Sequence, residues 1–207
     1  QTLSVSYNRG IGGDEYSQTY TDNNLSSASY QSFSMSFVNP WVFDTPNLVG
    51  ISLYYSERGQ TSSYLPFDIH QFSASARWGR RFKWPDYFFR GSWMLKSSNN
   101  SYYSSSDNDL IDYFGDSIES SITTDDEGQS IFNTSGVLLT QIITRDSRNH
   151  PEFPSGGSKF EWHSTFSGNI LGGDEDYHKH QIKFQWFTPT VGKLVLMHST
   201  NMGVIKE

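Results

Sequence analysis

Period-two alternation between large apolar and small polar residues runs the length of the chain, and it restricts the fold more than any other feature. Leu3, Val5 and Tyr7 alternate with Thr2, Ser4, Ser6 and Asn8, and Phe33, Met35 and Phe37 with Ser32, Ser34 and Ser36. Val49, Ile51, Leu53 and Tyr55 alternate with Gly50, Ser52, Tyr54 and Ser56, and Phe72, Ala74, Ala76 and Trp78 with Gln71, Ser73, Ser75 and Arg77. Phe89, Gly91, Trp93 and Leu95 form a fifth such run, Phe160, Trp162 and Phe166 a sixth, and Ile182, Phe184 and Trp186 a seventh. Every second residue of a β-strand points to the same side, so each run reads as a strand with one apolar and one polar face. Residues 131–144 and 193–204 alternate less cleanly, but their β-branched residues and flanking turn signals mark them as strands as well. The expectation is an all-β meander of about nine antiparallel strands.

Composition agrees. Aromatic residues make up 16% of the 207, while Cys is absent, which excludes a disulfide framework or a zinc–thiolate site. The net charge of −7 and the lack of a basic patch interleaved with aromatics argue against a nucleic-acid partner. No run approaches the ~18 apolar residues of a membrane helix, but a barrel strand needs only about 9 to 11 residues with every second one apolar.

The connections sort by parity. Those at about 10–28, 57–69, 97–129 and 168–176 are long and polar or acidic. Those around 39–47, 80–87, 145–157 and 188–192 are short and rich in Pro, Gly and Asp. Long loops on one side and short turns on the other is the pattern of an outer-membrane barrel. Trp41, Trp78, Trp84, Tyr87 and Trp186 lie near the short turns, as an interfacial aromatic girdle would. Arg77, Arg90, Lys96, Lys159, Glu161, Lys179 and Lys183 share the face opposite the aromatics. In a sandwich that face is the exterior; in a barrel it is a wet lumen. The even width of the apolar face favours lipid. On that reading Phe33, Phe37, Ile51, Leu53, Trp93, Phe160, Trp162, Ile182, Phe184 and Trp186 face the membrane. Open strand edges in hydrocarbon leave backbone groups unpaired at several kcal/mol each, and single-chain bacterial barrels have even strand numbers. Residues 1–207 are therefore expected to be an internal part of a larger barrel domain, with strands before Gln1 and after Glu207.

Four stretches add a family likeness. Ile143-Thr-Arg-Asp-Ser-Arg-Asn-His-Pro-Glu-Phe-Pro-Ser-Gly-Gly-Ser158 resembles a turn of the BamA-type outer-membrane assembly family: arginine–aspartate–x–arginine, then an aromatic and proline, then glycine–serine opening the next strand. Tyr30 to Trp41, ending in Asn39-Pro40-Trp41, looks like a strand and turn of the same family. Arg80 to Tyr87 and Gly192 to Met197 are similar to its Bacteroidetes-type members. The resemblance implies strands three to eleven of a barrel of about sixteen, on the back wall. That places them away from the seam of first and last strands and from the periplasmic POTRA domains. It implies Arg145, Asp146, Arg148, Pro154 and Gly157 as a structural turn motif. It also implies a non-enzymatic insertase in the bacterial outer membrane, with no cofactor or metal. The implied partners are membrane lipids, lipopolysaccharide, unfolded outer-membrane clients and accessory lipoproteins. Rival readings are a passive channel, a secretion pore of the same superfamily, and a soluble β-sandwich.

Other side-chain groupings read more plainly. Arg145, Asp146 and Arg148 fit a solvated turn with Asp bonded to local backbone. His178 and His180 could ligate a metal if Asp174 or Asp176 joined them, but two imidazoles rarely suffice. Glu161 and His163 lack a nucleophile or orienting group, and Glu161 is expected to pair with Lys159 or Lys183. Gly10, Gly12 and Gly13 lack the context of a phosphate loop, and Asp125, Asp126 and Glu127 lack calcium-loop spacing. In the longest loop, Leu110, Ile111, Tyr113, Phe114 and Ile118 suit a short helix or packed cap. It is expected either to fold over the barrel mouth or dock a surface lipoprotein, or else to be a plain variable loop.

Overall fold

The computed structural model describes residues 1–11, 29–42, 44–60, 65–168 and 171–206. Nine long strands follow one another in a single antiparallel sheet. They are β1 (Thr2–Ile11), β2 (Ser29–Asn39), β3 (Asn47–Arg58), β4 (Asp68–Arg81) and β5 (Phe89–Ser104). After a two-residue strand, β6 (Thr123–Thr124), come β7 (Ser130–Asp146), β8 (Gly157–Ser167), β9 (Tyr177–Pro189) and β10 (Val195–Lys206). Each long strand pairs with the next, and β6 adds to the start of β7. Helix α1 (Asp107–Phe114) and a 3-10 turn (Asp116–Ser121) lie between β5 and β6. The sequence-based count of nine strands holds, and the two weakly alternating segments are β7 and β10.

The register carries every apolar run onto one side. Leu3 lies opposite Phe37, Phe37 opposite Ile51, Ile51 opposite Ala76, and Ala76 opposite Leu95. From Leu95 the row continues to Leu139 and Phe166, and two steps lower Ile143, Trp162, Ile182 and Met202 lie side by side. A slip of one residue anywhere would turn a strand's whole apolar set to the other side, and no such slip occurs in the paired ladders. All ten residues expected to face the membrane share this face. Among the described residues no second layer covers it: Ile51 and Leu53 are exposed, as are Trp162 and Trp186. Within the described residues this face is therefore not the core of a sandwich.

The opposite face is polar, and most of its buried side chains within the belt are small hydroxyls (Ser32, Ser56, Ser73, Thr144 and Ser167), with Phe187 at the short-turn end the apolar exception. On β10 the pattern weakens, because Val195, Met197 and Ile205 take the polar face while His198 and Thr200 take the apolar one.

The structure corrects one expectation. Residues 97–104 are not loop but the continuation of β5, paired to the first part of β7. Here the polarity of the sheet inverts. Asn99, Ser101, Asn133 and Ser135 occupy the formerly apolar face, while Ile69, Tyr102 and Phe132 occupy the formerly polar one. Below this level β5 and β7 carry their apolar residues on one face and their polar ones on the other; above it the two faces exchange character on these strands.

The parity of the connections also holds, less sharply by length than expected. The short-turn side includes 147–156, about as long as 168–176 on the other side.

The inversion predicts a sharp contrast along single strands. Ile51→Arg is expected to destabilise the folded barrel by about 2–4 kcal/mol. Ser52→Arg, on the opposite face, and Asn99→Arg, above the crossover, are expected to be tolerated. Urea unfolding in lipid vesicles measures all three, and a larger cost at Ser52 than at Ile51 would mean the faces are reversed.

Candidate functional site: a two-faced wall with a capped end

The apolar face contains a few polar side chains, and several of them pair with one another; His178, at the long-loop end, is an exception, with a buried Nδ1 that has no partner among the described residues. The Trp93 indole Nε1–H donates to Gln141 Oε1 at 3.0 Å, His180 Nδ1 lies 2.9 Å from Ser164 Oγ, and His198 Nε2 lies 3.0 Å from Thr200 Oγ1. At the long-loop rim, Gln31 and Tyr55 both donate to the Glu57 carboxylate. A surface meeting water has no need of such pairing; a surface meeting hydrocarbon does, because an unpaired polar group there costs several kcal/mol. Trp93 also stacks on Trp78 at 4.9 Å between ring centres. Gly91 leaves the space its ring occupies, since a Cβ at that position would collide with Trp93 and Phe82.

His178 and His180 lie on this apolar face, with the Phe166 ring edge-on between them, 5.5 Å from each. Asp174, one of the two candidate third ligands, is occupied elsewhere: its carboxylate accepts from the Ser135 amide and hydroxyl, tying the β8–β9 loop to β7. Among the described residues no three potential ligands gather around a metal-sized space. Glu161 and His163 lie on the polar face, and Glu161 pairs with Lys159 at 2.8 Å. Gly12 and Gly13 lie outside the described residues. The Asp125 carboxylate is used by the amides of Glu127 and Gln129, closing the β6–β7 turn.

The turn motif does more than its solvated reading allowed. Arg148 donates twice to Asp146, from Nε and Nη2, both at 2.8 Å, and from Nη1 to the Pro151 carbonyl. The hydrogen bonds to Asp146 raise the Arg148 pKa further. Arg145 reaches another turn altogether, donating to Asp86 at 2.9 Å, with its guanidinium also over the Phe88 and Phe89 rings. It donates as well to Ser147 and Ser158. Gly157 has φ +100° and packs against the Ser147 carbonyl, so no side chain fits there. Pro154 is half-buried within the same turn. Asp86 was not singled out by its sequence; nothing local marks a partner 59 residues away.

At the other end, α1 folds over the polar face. Leu110 is 0% exposed and forms a core with Phe67 and Phe132. The Phe114 ring sits 4.7 Å from Tyr102 and 5.0 Å from Phe132. Asp107 accepts from Ser130, and Asp109 accepts from Ser104 at 2.9 Å. Eight residues are too few for a helix to persist alone, so these contacts hold it in place. The cap thus covers the inward side of the sheet just above the polarity crossover. Of the outcomes expected for this loop, the structure shows the short helix packed as a cap, seated on β4, β5 and β7.

The profile of the Omp85 superfamily domain matches residues 1–207. No curated protein matches the chain. Among solved structures, the fold is similar to that of BamA from Haemophilus ducreyi lacking POTRA domains 1–3. The TM-score is 0.58 at 14% identity, over 86% of this chain and 34% of that one. The chain therefore spans about a third of the length of that structure.

The turn geometry makes a further prediction. Gly157→Ala is expected to cost about 1–3 kcal/mol, from a strained φ and a clash with Ser147. Asp86→Ala, which removes one half-exposed partner of Arg145, is expected to cost about 1 kcal/mol or less. Thermal unfolding of both variants checks the order; a larger loss at Asp86 would contradict it.

Proposed function

Since the chain belongs to the Omp85 superfamily, we propose that it forms the back wall of a BamA-type insertase, which folds and inserts β-barrel proteins into the outer membrane of a Gram-negative bacterium. The observation that carries this reading is the superfamily match across the whole chain, on a sheet whose fold resembles the BamA barrel. An apolar face with internally paired polar groups supports contact with lipid, and a polar face lined by Ser and Thr supports a wet lumen.

On this reading no cofactor or catalytic group takes part. Clients add strands by backbone pairing at an open edge, as in other strand-addition mechanisms, while a continuous wall keeps the barrel together. The partners are unfolded outer-membrane proteins, membrane lipids with lipopolysaccharide on the long-loop side, and accessory lipoproteins. The core around Leu110 weighs against a passive channel, because it holds a helix against the polar face near the long-loop end, where on this reading it would narrow the lumen.

Two measurements test the proposal on the full-length protein. Reconstituted in vesicles, it is expected to speed the folding of an unfolded outer-membrane barrel above the rate in protein-free vesicles; no acceleration would sink the insertase role. In planar bilayers it is expected to show low conductance that rises in Leu110→Asp, which expels the cap. A stable, wide pore in the unaltered protein would favour the channel instead.

A further inference from the structure

One group of charges at the short-turn end has no use in the fold so far described. Arg77, Arg81 and Arg90 lie on the polar face of β4 and β5, and Arg80 joins them around a cleft of about 380 Å3 that also includes Pro46 and Leu48. Arg81 and Arg90 are direct cross-strand partners. Like charges in that relation destabilise a sheet.

Neighbouring cations are treated differently. Arg145, Arg148 and Lys159 each have a carboxylate within 2.9 Å. Among the described residues, Arg77, Arg80 and Arg81 have none within 4.0 Å. Arg90 has Asp146 at 3.9 Å, but that carboxylate is already held by Arg148 at 2.8 Å. Arg77 is steadied by a hydroxyl, donating from Nε to Ser92 Oγ at 3.0 Å. The cleft therefore keeps an uncompensated positive charge, and a concave wall concentrates its field.

Guanidinium groups recognise carboxylates and phosphates through paired N–H donors. Two observations favour carboxylates on a peptide. Three of the four arginines are on the polar face, away from the surface that meets lipid. The cleft is also large enough for several residues and has apolar walls at Pro46 and Leu48 for their aliphatic parts. The chain's own acidic stretches, Asp107 to Asp116 and Asp125 to Glu127, lie at the opposite end of the strands.

We propose that this cleft binds an acidic peptide segment, its Asp or Glu side chains entering from the short-turn side. The proposal rests on the assignment of the polar face to the lumen, and not on insertase activity.

The test uses the full-length protein in nanodiscs with a fluorescein-labelled hexaglutamate peptide. Binding is expected to weaken with salt and to fall at least tenfold in Arg81→Gln/Arg90→Gln, while Lys179→Gln, at the other end of the polar face, leaves it unchanged. The double variant is expected to keep or raise the thermal midpoint, because a repulsive pair is removed; a lowered midpoint would point to a structural role and overturn the proposal. Unchanged peptide binding in the double variant would overturn it too. Displacement of the peptide by inorganic phosphate, or by anionic phospholipid vesicles, at equal concentration would replace it with a phosphate site. A fluorophore on Ser75→Cys, on the same face, tests the premise separately: quenching by a lipid-borne quencher would reverse the face assignment. Without that quenching, absent peptide binding defeats the cleft proposal alone.

Discussion

Hydrocarbon offers no hydrogen bonds, and most of this structure follows from that. A backbone crossing lipid must satisfy its N–H and C=O groups internally, and a sheet does so only by pairing every strand with its neighbours. The ladders from β1 to β10 run in register without a slip. The same requirement governs side chains. Gln141 lies on an apolar face because Trp93 needs an acceptor, and Ser164 because His180 needs a partner. These paired polar residues on that surface are thus compatible with lipid rather than breaks in it.

The polarity crossover between Ser97 and Asn99 marks where that constraint ends. Above it water can reach the sheet, and the ordinary rule returns: apolar groups turn inward and need covering. Ile69, Tyr102 and Phe132 supply the inward surface, while Leu110, Phe114 and Phe67 cover it. The cap is therefore a small conventional core built on top of an inverted one. Its main driving force is burial from water, which is unavailable a few residues lower on the same strands. A helix of this length exists there because β5 and β7 extend far enough past the belt to give it a floor.

These two regimes explain what was legible in the sequence. Within the belt, alternation between Phe or Ile and Ser is strong, so strands, faces and all ten apolar-face residues could be read directly. Above it, Ser97, Ser98, Asn99, Asn100 and Ser101 are polar on both faces; period two has no amplitude, and the stretch reads as loop although it is strand. The apolar residues of α1 were visible, but their partners Phe67 and Phe132 are distant in sequence and isolated in polar surroundings. The turn motif was visible as turn chemistry, whereas the reach of Arg145 to Asp86 depends on β5 bringing two turns side by side. Charge partners are set by register, and register is a property of the whole sheet.

The ladders also bear on where such a wall could part. The shortest of the long ladders joins β7 and β8, from Leu138 opposite Ser167 to Asp146 opposite Lys159. Taken alone it would be the weakest line in the wall. Both of its ends are stitched by side chains. At the short-turn end Ser147 and Ser158 bond to each other and to Arg145, which in turn holds Asp86. At the long-loop end Asp174 holds Ser135, and Gly173 bridges to Gly136, a contact open only to a residue without a side chain. Separating β7 from β8 in lipid would expose a full row of backbone groups and break these bonds as well. The reinforced ladder makes β7–β8 a costly place for the wall to part.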